Sequence, residues 1–516
     1  MKRLFLGLMV FTLIIVMVAC QKTTTTTTTE STTTSTTTTT TTTTTESTTT
    51  ESTTTTFNPS SIDVSAFSTN GTLSVANIEA NISAWNTGNP TALSINVDDS
   101  IQYQSWGGVG AALTYSSAYL INNSVDRDAI IDYLFGEEGM SIQLVRLCVG
   151  ASDFVTPAMG HYTYNDTVGN VADPNLEQFS IAKDQVIIDV LKDALEINPD
   201  LVFMASPWSA PAWMKTSNSL YGGSLKSSYY ATYAAYLIKF IEAYAANGIE
   251  IHYLSVQNEP YYASNEYPGM TWTTFNTKVF IADHLGPMLA TAGYDTKIMI
   301  WDHNPVDNSG NLITFPINVL ANENAAQYID AIGVHCYTGD DSDMYDYLDY
   351  LRTNAPDIEV YMTECTAVST YTNREQNMQW SIKRMYTEAY NRYAMGTTYW
   401  NMVMDPLGAT HLGGCGTCTG LISVSANGTA GYRVEADGFV TTHFGRFVHM
   451  GAKRIEVRAT NTTLYTTGYL DVLGNYSIIV FNGGSERTAT VRWRDQYFLI
   501  KLPKSSLTTI VWQLPQ

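Results

Sequence analysis

Two glutamates carry the clearest chemistry in this chain. Glu259 sits in Gln257-Asn258-Glu259-Pro260 and Glu364 in Thr363-Glu364-Cys365, each just past a short apolar run. Hydrolysing a glycosidic bond needs one carboxyl to protonate the leaving oxygen and a second to attack the anomeric carbon or direct water at it. If the two lie close, like-charge repulsion and partial burial raise one pKa and keep that group protonated. The other needs a cation to stay ionised, and Arg146 is the candidate. Asn258, directly before Glu259, can point an amide at a sugar hydroxyl. A lone glutamate at a strand end is more often a helix cap or a surface charge. Two of them, with an adjoining Asn, favour chemistry.

The elements that must position these residues read as an α/β protein. Eight strand-like runs occur at residues 101–110, 142–149, 201–205, 251–257, 297–301, 331–336, 359–363 and 397–402. Segments long enough for crossover helices lie between them, such as 176–196, 229–247 and 374–392. Eight strands, each followed by a helix, close into a (β/α)8 TIM barrel. A doubly wound open sheet is the alternative, but Gly107-Gly108-Val109-Gly110 is followed by no helix start at the phosphate-loop spacing. Past about Gly445 short alternating runs follow one another without helices, which predicts an antiparallel β-sandwich. Residues 72–97 also alternate and are expected to add a strand or two to it.

Barrel chemistry sits where strands end. Strand two carries Arg146 and leads to Asp153, and strand three ends in Ser206-Pro207-Trp208. Strands five, six and eight end in Trp301-Asp302-His303, His335-Cys336-Tyr337 and Trp400-Asn401. Glu259 and Glu364 end strands four and seven, which face each other across the barrel mouth. Carboxylates, amides, a histidine and indoles on one rim suit a sugar. Asp302 and His303 are expected to support the site from behind, and Trp213 to line the cleft or the core.

At 516 residues the chain holds two to four domains at roughly 150 residues each. With 27 Lys+Arg against 48 Asp+Glu, its net charge of −21 makes nucleic acid a poor partner. Lys2 and Arg3 precede an apolar run ending in Met17-Val18-Ala19-Cys20, which resembles a bacterial lipobox. The expected organisation is a lipoprotein-type signal peptide at 1–20 and a disordered Thr-rich linker at 21–56. A sandwich contribution at 57–97, a catalytic barrel at 98–445 and a C-terminal sandwich at 446–516 complete it, so both ends of the mature chain build the side domain. The expected place is extracellular, anchored to the cell surface through a lipidated Cys20, the sole link to a membrane. A plain signal peptide or a retained anchor is the alternative.

On these residues the chain resembles glycoside hydrolase family 30, the glucosylceramidase-like retaining β-glycosidases. The resemblance rests on Gly108-Val109-Gly110-Ala111-Ala112-Leu113-Thr114, on Arg146 with Ser152-Asp153-Phe154, and on Ala205-Ser206-Pro207-Trp208. Val256-Gln257-Asn258-Glu259-Pro260, Gly333-Val334-His335-Cys336-Tyr337 and Thr363-Glu364-Cys365 complete it. It implies Glu259 as acid/base and Glu364 as nucleophile. It also implies Trp208, Asn258, His335, Tyr337 and Trp400 around a carbohydrate or glycolipid substrate; Arg146 and Tyr115 are expected to join them, and no cofactor and no metal are expected. Tyr115 stands where glucosylceramidase-like members carry Asp. A phenol offers one hydrogen-bonding group where a carboxylate accepts two or more bonds, so the sugar stays open among glucose, xylose and fucose. An endo-β-1,6-glucanase or xylanase of the same family is the alternative within the enzyme class. From another class comes a non-catalytic carbohydrate-binding lipoprotein, which would need neither glutamate.

The loop at 407–421 is expected to shape the aglycone side. Its Cys415-Gly416-Thr417-Cys418 reads as a small disulfide or a free pair, and zinc would want a fourth ligand beyond His411. Cys148, Cys336 and Cys365 are expected to be small buried fillers.

Overall fold

The computed structural model describes residues 62–70, 74–367, 374–429 and 431–514. The expected leader, Cys20 and the Thr-rich tract lie outside the described residues.

Three strands precede the barrel: β1 (Val64–Thr69), β2 (Ala76–Asn77) and β3 (Ser94–Ser105). Eight parallel strands follow: β4 (Gly108–Leu113), β5 (Leu144–Val149), β6 (Val202–Pro207), β7 (Tyr253–Ser255), β8 (Lys297–His303), β9 (Ile329–His335), β10 (Glu359–Glu364) and β11 (Gly396–Tyr399). They close into a barrel in chain order, with β11 pairing back onto β4 through Gly396↔Gly108. Helices such as Gln185–Ile197, Tyr230–Ala245 and Asp341–Asn354 cross between them. At the floor, Leu144, Met204, Tyr253, Met299, Ala331 and Tyr361 fill the interior, one from each of β5 to β10. Side chains alternate along a strand, so on β5 the residue two above Leu144, Arg146, also enters the interior. A Cβ at Gly110 would stand 1.8 Å from the Leu144 carbonyl oxygen, so β4 and β5 meet there only without a side chain.

Two sequence expectations shift. The first run, 101–110, divides between two domains: β3 belongs to the side domain and the barrel opens with β4. Consequently residues 98–105, expected in the barrel, continue a sandwich strand. The burial of the two strands explains the division. β3 carries Asn96, Asp98, Ser100 and Gln102 on a half-exposed strand, whereas every residue of β4 is buried. The helix expected from 176 begins at Gln185. Before it, Leu176 has φ 55° and Asp173 accepts the backbone N–H groups of Glu177 and Gln178, which holds a turn rather than a helix.

Short strands β12 (Val403–Met404), β13 (Ile422–Ser423) and β14 (Arg433–Val434) form a small sheet. The sandwich strands are β15 (Lys453–Ala459), β16 (Leu464–Leu470), β17 (Asn475–Asn482), β18 (Arg487–Trp493), β19 (Gln496–Leu502) and β20 (Ser506–Gln513). Their sheet runs β19-β18-β3-β15-β16-β17-β20-β1-β2, so strands from both chain ends share it. Trp493 on β18 and Trp512 on β20, far apart in that order, have ring centroids 5.8 Å apart. The sheet therefore folds over its own apolar core, with Trp85 and Phe498 packed between. One pairing, β18 with β3, is parallel. No hairpin joins these two strands, so nothing imposes the antiparallel sense.

Candidate active site

Arg146 is the hub of the polar network at the barrel mouth. Its guanidinium is buried and donates from Nη1 to Glu364 Oε2 at 2.7 Å. Nη2 donates to Asn258 Oδ1 at 2.8 Å and to Asp302 Oδ2 at 3.0 Å. Ser206 Oγ donates to the same Asp302 oxygen at 2.6 Å. The planar fork thus fixes three strand ends at once, which a single-point ammonium could not do. Arg146 also lies over the Trp208 ring at 5.0 Å, and Trp208 stacks on Trp400 with centroids 5.4 Å apart.

His335 bridges the two expected carboxyls. Its Nδ1 is 3.1 Å from Glu259 Oε1 and 3.9 Å from Glu364 Oε1, and its Nε2 is 3.1 Å from Asp302 Oδ1. Burial opposes charge on this ring, but Glu364, Asp302 and Glu259 raise its pKa to about 9. As an imidazolium it donates to Glu259 and Asp302 together. Tyr337 donates its hydroxyl to Glu364 Oε1 at 2.9 Å.

Local backbone irregularity aims these groups. Along β10, Met362 pairs with Val334 but Glu364 pairs with His335, so one extra residue turns Glu364 toward the histidine. Along β8, Trp301 pairs with Gly333 and His303 with Val334, which inserts Asp302 in the same way. Glu259, Trp301 and Asp302 have φ of 49°, 72° and 51°, a region where a non-glycine residue costs roughly 1–3 kcal/mol. Glu259 is held there by its N–H bond to the Asp302 carbonyl at 3.0 Å and by the Tyr262 N–H on its own carbonyl at 2.8 Å. Strain concentrated at the reacting groups, and clamped by neighbours, marks a site rather than a packing accident.

The cleft has two compartments. One, about 340 Å³, is lined by Asp153, Trp208, Asn258, Glu364 and Trp400, and by Gly414, Cys415 and Cys418 of the loop. The other, about 470 Å³, is lined by Tyr261, Trp301, His303, Asn304, Val306 and Ile313. Glu259, Tyr262, Tyr267 and Tyr337 line both, whereas Glu364 lines only the first.

Of the residues expected from sequence, Arg146, Trp208, Asn258, Glu259, His335, Tyr337, Glu364 and Trp400 therefore meet in one cleft. Tyr115 does not join them. It starts the helix Tyr115–Asn122, is buried, packs edge-on to Tyr162 at 6.3 Å, and lines neither compartment. Trp213 is a core residue whose indole N–H bonds to Asn165. His303, expected behind the site, lies with Nδ1 3.3 Å from Glu259 Oε1. Tyr261 and Tyr262, which no sequence expectation includes, also line the cleft; their signal in the sequence is an aromatic pair directly after Asn258-Glu259-Pro260. Cys336 and Cys365, expected as fillers, are joined in a disulfide with Cα atoms 5.3 Å apart. Adjacent parallel strands β9 and β10 end side by side there, and the bridge ties the residue after His335 to the residue after Glu364. Cys415 and Cys418 also form a disulfide.

The carboxyl held protonated is another one. Burial opposes ionisation of Glu259, but His303 and then His335 hold its pKa below the ordinary carboxylate range. Asp153 is the group pushed up, to about 8, by burial and then by Glu364. It lies against the loop, so close that a Cβ at Gly414 would stand 2.0 Å from its Oδ2. Below about pH 4 this acid is neutral folded or unfolded; above that the unfolded chain ionises while the folded carboxyl does not until about 8. Folding stability from this group therefore falls as pH rises through that window, by several kcal/mol in total. Asp153→Asn, which keeps the shape and cannot ionise, is expected to flatten that slope in thermal unfolding scans from pH 4 to 9. Parallel slopes in the two proteins would remove the assignment.

Comparison with known proteins meets this geometry from outside. The Glycosyl hydrolase family 30 TIM-barrel domain matches residues 106–447, and the Glycosyl hydrolase family 30 beta sandwich domain matches residues 451–510. The endo-1,6-β-D-glucanase neg1 of Aspergillus fumigatus is 29% identical over 488 residues, covering 87% of this chain and 94% of the fungal one. Mouse lysosomal acid glucosylceramidase is 26% identical over 464 residues, 86% of either chain. The solved structure of an endo-β1,6-glucanase superposes with a TM-score of 0.77 at 26% identity, over 87% of this chain and all of that one. The first match begins at Trp106, where the chain leaves β3 for the barrel, and the second begins just ahead of β15. The domain succession, the barrel and the matched length agree: this chain is a glycoside hydrolase and belongs to glycoside hydrolase family 30.

Proposed function

We propose that the protein cleaves β-linked glucosides with retention of configuration, with Glu364 as nucleophile and Glu259 as acid/base. The observation that carries this is the division of the cleft: Glu364 faces one compartment only and Glu259 faces both. A nucleophile must reach the anomeric carbon of the sugar being transferred, and a proton donor must reach the oxygen between that sugar and its leaving group. The Trp208–Trp400 compartment then holds the glycone and the Tyr261–His303 compartment the aglycone. Glu364, salt-bridged to Arg146, attacks and forms the glycosyl-enzyme while Glu259 protonates the departing oxygen. Glu259 next takes a proton from water, which releases the sugar with its original configuration. Both carboxyls approach one nitrogen of His335, at 3.1 Å and 3.9 Å, a bound that takes in the roughly 5–5.5 Å spacing of a retaining pair. At rest the proton the first step needs sits on His335, 3.1 Å from Glu259 Oε1; it passes through Glu259 to the departing oxygen, and the proton Glu259 later takes from water returns it to the ring. Asn258, its oxygen taken by Arg146, offers its amide N–H to a hydroxyl.

The aglycone compartment favours a sugar over a lipid. Tyr261 and Tyr262 are both about half exposed there, and flat rings with polar tips suit a pyranose face. With endo-1,6-glucanases among the similar proteins, a β-1,6-glucan is the substrate we favour. Glucosylceramide is the second reading, supported by the apolar Val306 and Ile313 in the same compartment and by the mouse relative. Proton NMR of the first products from β-1,6-glucan is expected to show β-anomers and oligosaccharides. Initial α-anomers would overturn retention; release from glucosylceramide but not from glucan would select the second reading.

The loop at 407–421 lines the glycone side on this assignment, through Gly414, Cys415 and Cys418, rather than the aglycone side. The two disulfides support an oxidising compartment, in keeping with the leader-like start and an anchor at Cys20. Cys20→Ser is expected to release the enzyme from the membrane fraction; unchanged fractionation would end the lipoprotein reading.

A further inference from the structure

One cluster in the cleft has donor types and spacing that the hydrolytic reaction does not call for. Glu259, His303 and His335 each offer a ligand atom, and the three atoms lie within 4.8 Å of one another. A glycosidic acid/base needs one proton-bearing neighbour; a second imidazole on the same carboxylate oxygen, at 3.3 Å, is surplus. Tetrahedral ligation at bond lengths of about 2.0–2.1 Å places neighbouring ligand atoms about 3.3 Å apart. Two of the three edges, 3.3 Å from Glu259 Oε1 to His303 Nδ1 and 3.1 Å to His335 Nδ1, match that value, and the third lies within 4.8 Å.

We propose that Glu259, His303 and His335 form a site for a zinc-class divalent cation, and that its occupancy switches the enzyme off.

Three further features fit an ion of that class. His335 Nε2 is bonded to Asp302, which is itself fixed by Arg146 and Ser206, so a ligating ring would be oriented by a carboxylate behind it. Three carboxyls, Glu259, Glu364 and Asp302, face two cations, the Arg146 guanidinium and the His335 ring, so the surroundings carry an excess of negative charge. Glu259 and His303 also line the Tyr261 compartment, which leaves a fourth position open to water. Two imidazoles and one carboxylate suit zinc and its neighbours, whereas Mg²⁺ and Ca²⁺ want six or more oxygens. A bound ion would displace to water the Nδ1 proton that His335 now donates to Glu259, take the freed nitrogen and the carboxylate oxygen, and stand in the path of the leaving group. The metal is a blocker, not a participant. The effect on turnover rests on the role proposed for Glu259; the binding site does not.

The test is calorimetric titration of zinc chloride into chelator-treated enzyme, with turnover of an aryl β-glucoside followed in parallel. One zinc per chain is expected, with inhibition at the same midpoint and removed by chelator. His303→Ala and His303→Asn should each weaken binding at least tenfold, and cobalt in place of zinc should give the visible bands of a tetrahedral site. No uptake, or equal affinity in both His303 variants, would overturn the site. Stoichiometric zinc lost in the variants but without effect on turnover would uphold the site and overturn the role given to Glu259.

Discussion

Glu364→Gln is expected to lower kcat by about 10⁴-fold or more while the melting temperature moves little. The amide keeps the shape of the carboxyl and one oxygen for Arg146 Nη1, which now donates to Glu364 Oε2 at 2.7 Å. It cannot form the glycosyl ester, so the loss is one of chemistry rather than of fold. Circular dichroism and thermal unfolding check the second half of that statement. Glu259→Gln should differ in kind. A substrate with an activated phenol leaves without protonation, so the first step survives and the glycosyl-enzyme accumulates, while poorly activated substrates slow by about 10²–10⁴-fold. Azide should rescue Glu259→Ala with retention and Glu364→Ala with inversion, because each fills the space of a different carboxyl. Undiminished turnover in Glu364→Gln, or rescue with the stereochemistry exchanged, would refute the assignment.

The second large effect falls on stability. Arg146→Met should cost about 3–5 kcal/mol of folding free energy, read as a lower urea midpoint. Arg146 is buried with Asp302, whose carboxyl is fully enclosed, and with Glu364. Burial would push Asp302 up, but Arg146 and His335 hold it well below the ordinary carboxylate range. Removing the guanidinium leaves two buried carboxylates converging on an apolar side chain. Each must then ionise at a cost or take a proton. Either outcome couples unfolding to pH, so the variant should recover part of its stability in acid while the parent does not. Arg146→Lys keeps the charge but offers one donor point where three acceptors wait, at Glu364, Asn258 and Asp302. It should fall between the two. A loss below about 1 kcal/mol in Arg146→Met would mean that His335 carries the charge balance of the site instead.

Much of this was legible in the chain. The runs that became β5 to β11, the strand-end positions of Glu259 and Glu364, and the sheet-only texture past Gly445 follow from local periodicity, and local periodicity survives in any context. Arg146 was readable as the partner of a carboxylate because an arginine inside a barrel strand has no other way to be buried. Those features depend on residues within a few positions of one another.

What was missed depends on residues that are distant in sequence. The break of 101–110 into β3 and β4 was decided by β15 and β18, which β3 pairs with from the far end of the chain. Tyr115 looked like a sugar contact by position, but the turn into its helix points it at Tyr162. The Cys336–Cys365 bridge needed β9 and β10 to end side by side. Asp153 became the protonated acid, and Glu259 the depressed one, because burial, His303 and Glu364 set their fields from other strands. By itself the sequence determined which side chains stand at the barrel mouth, since strand ends are fixed by short-range pattern. Only the tertiary structure decided which way each one turns and which neighbours charge it, because bulges, left-handed residues and electrostatic fields arise from contacts between segments that the linear chain keeps far apart.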